Sequence, residues 1–353
     1  MHRLSTIAAV LAAALVAFPA HAQAPAFTVG TAKAGPGEKA TGYIEVPAGV
    51  DPGTRIPVVV VHGARPGPVL AMVAGSHGTE YASIIALEKL IPMLDPAQIA
   101  GTVIVLPLVN TASFEEKVPH LNPIDHRNMN RMYPGKPDGT QTERASWAIT
   151  QQVIAQSDYL IDMHGGDLDE SLRPYSYWLK IGNPKIDSVA RQMVLAFGLR
   201  YIIIADDRPT AAGSSRYLDN TAALRGKPSI TVEAGYAGTT TAEDVGVLVR
   251  GCLNEMRYLK MLPGEAAPVE HPVWFAKVVT PTSDATGIFY PLVKKNTYVS
   301  AGMKLGYVTD YFGKTIYEAR APVAGIVLYI CAVPSMKKGN AVVDIGVIAP
   351  ESP

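Results

Sequence analysis

The stretch "GSHGTEYA", Gly75 to Ala82, sets an imidazole, His77, and a carboxylate, Glu80, three positions apart with glycines around the imidazole. It follows directly on the apolar run "PVLAMVAG". Where a strand gives way to a helix, His and Glu at i and i+3 can both turn toward one point above the sheet edge. Such a pair is most of a catalytic zinc site, which takes three protein ligands, keeps one position open and accepts a His2Glu set. The third ligand is then expected to be a distant histidine at another strand end. "YLIDMHGGD" supplies His164, placed ahead of two glycines that allow close approach of backbone and ligand. Asp162, two residues earlier on the same strand face, is placed to orient a ligand histidine.

Three further segments complete the chemistry. "PSITVEAGYAG" ends a strand on Glu233, a carboxylate suited to act as general base on a metal-activated water. The loop "LNPIDHRNMNRMYPGKPDG" carries Arg127, Asn130 and Arg131. A guanidinium fork grips a carboxylate bidentately, and a neighbouring amide can share the same anion. "DDRPTAAGSSRYLDN" offers Arg216 with Ser214 or Ser215 to line a pocket, and Tyr236 is a further candidate wall residue. Each has an ordinary alternative when taken alone: a strand-end His or Glu in solvent, Arg131 on a structural acid, Asn130 shaping a turn, a plain surface loop.

The elements that must position these residues follow from hydrophobic periodicity. "RIPVVVVHGARPGPVLAMVAG" reads as two strands joined by a Gly/Pro turn, followed by a helix from about Glu80 to Leu94. Strands are expected at "TVIVLPLVN", "DYLIDMH", "YSYWLKI", "RYIIIAD" and "PSITVEAG", and helices at "QTERASWAITQQVIAQ", near Ile186 to Phe197, and from about Ala242 to Leu262. Continuous apolar strands alternating with helices imply an α/β fold: a mixed, mostly parallel sheet with helices on both faces. From about Val273 the chain becomes strand-rich and turn-punctuated, which indicates a small C-terminal β domain. Its "APVAGIVLYI" and "MKKGNAVVDIG" resemble a lipoyl-like half-barrel, with no lysine in a prosthetic-group hairpin.

Composition sets the remaining bounds. The chain has 353 residues, 48% hydrophobic and 18% charged, ample for a buried core. Lys+Arg and Asp+Glu both number 31, so no global field attracts nucleic acid or an anionic membrane. The N-terminus has a basic start (His2, Arg3), an apolar stretch from Ile7 to Phe18 and a small-x-small ending at Ala20-His21-Ala22. This reads as a Sec-type signal cleaved after Ala22, giving a periplasmic or secreted protein that no membrane span retains. The division expected is 1–22 signal, 23–266 catalytic domain and 267–353 β domain. Cys252 and Cys331 match no zinc or thioredoxin spacing; they read as buried free thiols, with a disulfide suited to an oxidising compartment as the alternative. A homo-oligomer is left open.

At this point the motifs carry a family resemblance. "GSHGTE" resembles a G-x-H-G-x-E metal motif and "RNMNRMYPG" an N-R-x-F-P-G substrate loop, while "DMHGG" and "VEAG" resemble third-ligand and general-base motifs. In this order they resemble the succinylglutamate desuccinylase and aspartoacylase group, within the zinc carboxypeptidase-like fold, over nearly the whole mature chain. The resemblance implies one zinc per chain on His77, Glu80 and His164, with Glu233 as the base that later protonates the leaving amine. It implies Asn130 and Arg131 on the substrate carboxylate. Arg127 competes with His120 for polarising the scissile carbonyl, because relatives often carry an arginine earlier in this loop. The implied activity is hydrolysis of a linear amide, deacylating an N-acyl amino acid; a periplasmic zinc carboxypeptidase acting on peptides is the alternative. A non-catalytic anion-binding protein on the same fold is the reading from another class, against which the joint presence of three ligands and a base counts.

Overall fold

The continuous apolar runs become strands of one large sheet. In the computed structural model, which describes residues 25–353, this mixed sheet has 13 strands. From one edge its order is Glu38–Val46, Thr54–His62, Ala100–Leu106, Arg65–Ala74, Tyr159–His164, Ser229–Glu233, Tyr175–Leu179, Tyr201–Ala205, Val273–Val279, Val343–Ile348, Gly325–Cys331 and Tyr298–Val299. Glu170–Leu172 pairs with Gly325–Cys331 off this path. Parallel pairing dominates the centre, and antiparallel pairing takes over toward both edges. The strands Thr54–His62 and Arg65–Ala74, consecutive in sequence, do not pair. Ala100–Leu106 inserts between them, antiparallel to the first and parallel to the second.

Helices α1 (Tyr81–Leu90), α2 (Thr111–Glu116), α3 (Gln141–Gln152), α4 (Pro184–Phe197), α5 (Leu218–Ala223) and α6 (Ala242–Tyr258) complete the layers. Alternate strand residues feed two cores, as the period-two geometry of strands requires. Leu70, Met72, Ile161, Met163, Ile230 and Val232 pack with residues of α1, α4 and α6 on one face. Ala71, Val73 and Leu160 pack with α3 and α5 on the other. Each fully buried aliphatic side chain contributes about 1.5–3 kcal/mol before side-chain ordering is subtracted.

Some element bounds differ from the sequence expectation. α1 stops at Leu90 and the chain tightens into a 3-10 turn at Ile91–Met93, because Pro92 has no N–H to continue the helical ladder. α6 ends at Tyr258, and α2 and α5, six residues each, fall in segments whose polar composition reads as loop. The C-terminal strands build a third core, in which Phe289, Val299, Leu305, Val327 and Ile345 pack with Leu172, Tyr175, Tyr201 and Ile203 of the preceding part. They also prolong the main sheet, since Val273–Val279 lies parallel to Tyr201–Ala205. Both cysteines are buried free thiols. The expected signal, 1–22, lies outside the described residues, among which no helix is long and apolar enough to cross a membrane.

Candidate active site

Strand register builds the floor of the site. Across three adjacent strands His164 pairs with Glu233 and Glu233 with Tyr175; two residues along, Asp162 pairs with Thr231 and Thr231 with Tyr177. Paired residues project to the same face of a sheet. Their neighbours Met163 and Val232 enter the opposite core, so these six side chains stand in two rows on the α3/α5 face.

The segment Gly75–Glu80 turns over the end of these rows. Gly75 takes a left-handed φ of 75°, and a Cβ on Gly78 would lie 2.3 Å from the Phe114 nitrogen, so both positions need glycine. The Gly78 N–H is tied to Ser113 Oγ at 2.9 Å. The turn folds His77 back until its Nδ1 is 2.5 Å from Glu80 Oε1. Glu80 Oε2 lies 2.8 Å from His164 Nδ1 and accepts the Gly165 N–H at 3.1 Å. One donor atom from each of His77, Glu80 and His164 thus falls within 4.8 Å of the others.

The outer ring nitrogens test whether this set suits a metal ion. A cation shared by the two Nδ1 atoms requires the proton of each imidazole on Nε2. His77 Nε2 faces Asn128 Oδ1 at 3.1 Å, an acceptor. His164 Nε2 has Asn130 Nδ2 at 3.0 Å and the carboxylate Oδ1 of Asp162 at 3.2 Å. Asp162 is completely buried, and neither of its oxygens has another hydrogen-bond partner, so a His164 Nε2–H is the donor it lacks. Two neutral imidazoles and a carboxylate in this disposition fit zinc. Without an ion, burial works against the charge of Glu80, but the positive charges of protonated His164 and His77, whose place a bound cation would take, outweigh it and hold the carboxyl far below its ordinary value. Glu233 is pushed well above its ordinary value by burial; His164 opposes this, and the charges of Glu80, Glu170 and Asp162 add to it.

These groups line a cleft of about 470 Å3, the size of a site for an amino-acid derivative. Arg131 and Arg208 lie on one side, their guanidinium carbons 4.6 and 3.8 Å from the centre of the Tyr217 ring, which holds the two cations close together. His120 lies on another side, its Nε2 3.0 Å from Asp169 Oδ1 and its Nδ1 3.2 Å from Asp167 Oδ2. Although burial opposes it, the Asp169 hydrogen bond with the charges of Asp167 and Glu170 raises His120 to about 9. It is therefore an imidazolium near neutral pH.

His77, Glu80, His164, Glu233, Asn130, Arg131 and His120 thus converge on one cleft. Asn130 has further contacts in the lining: its Oδ1 accepts the Leu218 N–H, and its Nδ2 lies 3.0 Å from the His164 ring nitrogen that faces Asp162. Arg127, Arg216 and Tyr236 do not reach the lining. The turn closed by Asn122 N–H to Arg127 O directs Asn128 inward and leaves Arg127 exposed. Arg216 is exposed while its carbonyl accepts from Tyr133 and its neighbour Tyr217 turns into the cleft. Tyr236 is 44% exposed and lies under Lys295. Sequence reasoning missed Arg208, although it stands in the quoted "DDRPTAAGSSRYLDN", eight residues before Arg216. It also missed Asn128, the alternating Tyr175 and Tyr177 of "YSYWL", and Asp344, for which no local pattern signals a site.

Comparison with known proteins agrees with this geometry. A model of the succinylglutamate desuccinylase/aspartoacylase catalytic domain matches residues 66–259. An N-alpha-acetyl-L-2,4-diaminobutyric acid deacetylase of Halomonas elongata is 27% identical over 277 residues, 76% of this chain and 79% of that protein. A succinylglutamate desuccinylase from a Silicibacter species superposes with a TM-score of 0.79 at 22% identity, over 88% of this chain and 95% of that one. The product-bound ectoine utilization protein EutE (DoeB) of Ruegeria pomeroyi gives 0.78 at 24% identity over the same shares, 88% and 95%. At these identities the two structures establish the fold.

Proposed function

The chain belongs to the succinylglutamate desuccinylase/aspartoacylase family, and on that premise we propose that it is a zinc-dependent deacylase of N-acyl amino acids. The observation that carries the reading is the placement of Glu233 beside His164 in the strand register, with His77 and Glu80 turned onto the same point. His77 Nδ1, Glu80 and His164 Nδ1 would hold the ion. Bound there, zinc supplies Lewis acidity to polarise the amide carbonyl and acidify a water.

The chain's own residues do the rest. Glu233, whose carboxyl the charge of a bound ion would return to its ionised form, would take the proton of the attacking water as the water oxygen bonds to the carbonyl carbon. It then delivers that proton to the amide nitrogen as the C–N bond breaks, since an amine anion is a very poor leaving group. Arg131, with Arg208 beside it on Tyr217, holds the substrate carboxylate. His120, kept cationic by its carboxylates, is the group in the cleft able to meet developing negative charge, a role that exposed Arg127 cannot reach. The curated relative is named for an N-acetylated diamino acid, which supports a deacylase rather than a peptidase reading. Export through the leader read at 1–22 would place the activity in the periplasm or outside the cell.

A hydrolysis screen of the zinc-loaded protein against N-acyl amino acids and short peptides tests this. Release of free amino acid from the acylated compounds is expected, with metal analysis giving one zinc per chain and its loss in His164→Ala. Cleavage of peptides alone would favour the carboxypeptidase alternative, and stoichiometric zinc retained in His164→Ala would point to other ligands.

A further inference from the structure

The wall of the cleft farthest along the sheet from the His164 strand comes from the C-terminal strands. Asp344, on Val343–Ile348, stands opposite Tyr329 of Gly325–Cys331 in the antiparallel ladder, and both line the cleft. Thr280 donates to Asp344 Oδ1 at 2.5 Å. Among the described residues no cation offsets the burial of this carboxyl, which raises it above its ordinary value.

Apart from Glu233, the proposed base, the other carboxylates of the cleft already have partners. Glu80 meets His77 and His164, and Asp169 meets His120. Asp219 accepts from Thr231 and sits in the field of Arg208. Glu170, raised to about 8 by burial and by the charge of Glu80, accepts the Asp167 N–H and has the His120 imidazolium beside it. Asp344 is left as a carboxylate without a counter-charge, on the margin of a cleft whose two guanidinium groups, of Arg131 and Arg208, are engaged around Tyr217.

Its neighbours are aromatic. Tyr175 and Tyr177 lie edge to face with centroids 5.5 Å apart. Burial raises both phenols, and the charges of Glu233 and Asp344 both add to the shift, so the two rings lie within the field of the base and of Asp344 alike. A carboxylate with aromatic rings around it is the chemistry that receives an ammonium group, by charge-assisted hydrogen bond and by cation–π attraction.

We propose that Asp344, with Tyr175, Tyr177 and Tyr329, forms the subsite for a cationic side chain of the substrate. Preferred substrates are then Nα-acyl amino acids that end in an ω-ammonium group. The C-terminal strands supply the specificity element for a reaction carried out by residues of the preceding part. The proposal rests on the deacylase reading.

The test compares kcat/KM of the zinc-loaded full-length mature protein on Nα-acetylornithine and on its methyl-terminated isostere, Nα-acetylnorleucine. The wild type should favour the ammonium compound by about tenfold to a hundredfold, the scale set by one hydrogen-bonded charge. In Asp344→Asn that ratio should fall to within about threefold of unity, and Asp344→Glu should restore part of it. A wild-type ratio near one overturns the proposal while leaving the deacylase reading intact, and this measurement needs no variant to fold. A ratio unchanged in a folded Asp344→Asn protein overturns it equally. Failure of the zinc-loaded wild type to hydrolyse any N-acyl amino acid removes the deacylase reading and the subsite together.

Discussion

Under the proposed mechanism, Glu233 and Arg131 separate chemistry from binding. Glu233→Gln keeps the shape of the side chain and removes its basicity. Zinc content and substrate affinity should stay near wild type while kcat falls by roughly a hundredfold to ten-thousandfold, the range of general acid–base catalysis. Near-normal turnover in a zinc-bound Gln variant would remove Glu233 from the mechanism. Arg131 and Arg208 flank one tyrosine ring, so each should carry part of the hold on the substrate carboxylate. Arg131→Ala and Arg208→Ala should each lower kcat/KM for free acids by about tenfold to a hundredfold, and scarcely affect substrates whose carboxylate is amidated. Arg216→Ala, at an exposed position, should match the wild type. Loss of selectivity in Arg216→Ala alone would place the anchor there.

α6 carries an internal tension that can be read by titration. Its Glu255 is fully buried beside Cys252 and Met256, and neither carboxylate oxygen has a hydrogen-bond partner. Burial alone raises this group well above its ordinary value of 4.5. The folded state therefore keeps the proton at pH values where the unfolded chain has released it. The stability that this group contributes is complete below about pH 4.5 and declines as pH rises above it. Glu255→Met should raise the melting temperature, by a margin that widens between about pH 5 and pH 8. A margin constant across that range would mean that Glu255 finds a partner in solution.

At the scale of the molecule, the sheet joins what composition divides. The proposed boundary at 266 falls just before Val273–Val279, a strand paired to Tyr201–Ala205, while Tyr201 and Ile203 pack into the same core as Phe275 and Phe289. A chain ending at residue 266 loses that strand cover and the cleft wall bearing Tyr329 and Asp344. It should aggregate, or melt well below the full-length protein, because the exposed strand edge and apolar face have no substitute partner. A soluble fragment with the full-length melting temperature would make the two parts independent.

Local chemistry was written in the sequence wherever chain connectivity itself sets geometry. The i, i+3 spacing of His77 and Glu80, the strand ends at His164 and Glu233, and the two-residue step from Asp162 to His164 depend on the path of a few bonds. The alternation of apolar strands and helices likewise encoded a sheet covered on both faces. Tertiary structure alone decided which cations line the cleft. That Arg208 and His120 line it while Arg216 and Arg127 do not follows from turns closed by bonds to distant residues, such as Tyr133 N–H to Arg216 O. Asp344 is the extreme case. It reaches the cleft only because the sheet continues through Tyr201–Ala205, Val273–Val279 and Val343–Ile348, and pairing between strands so far apart in sequence leaves no mark on local periodicity.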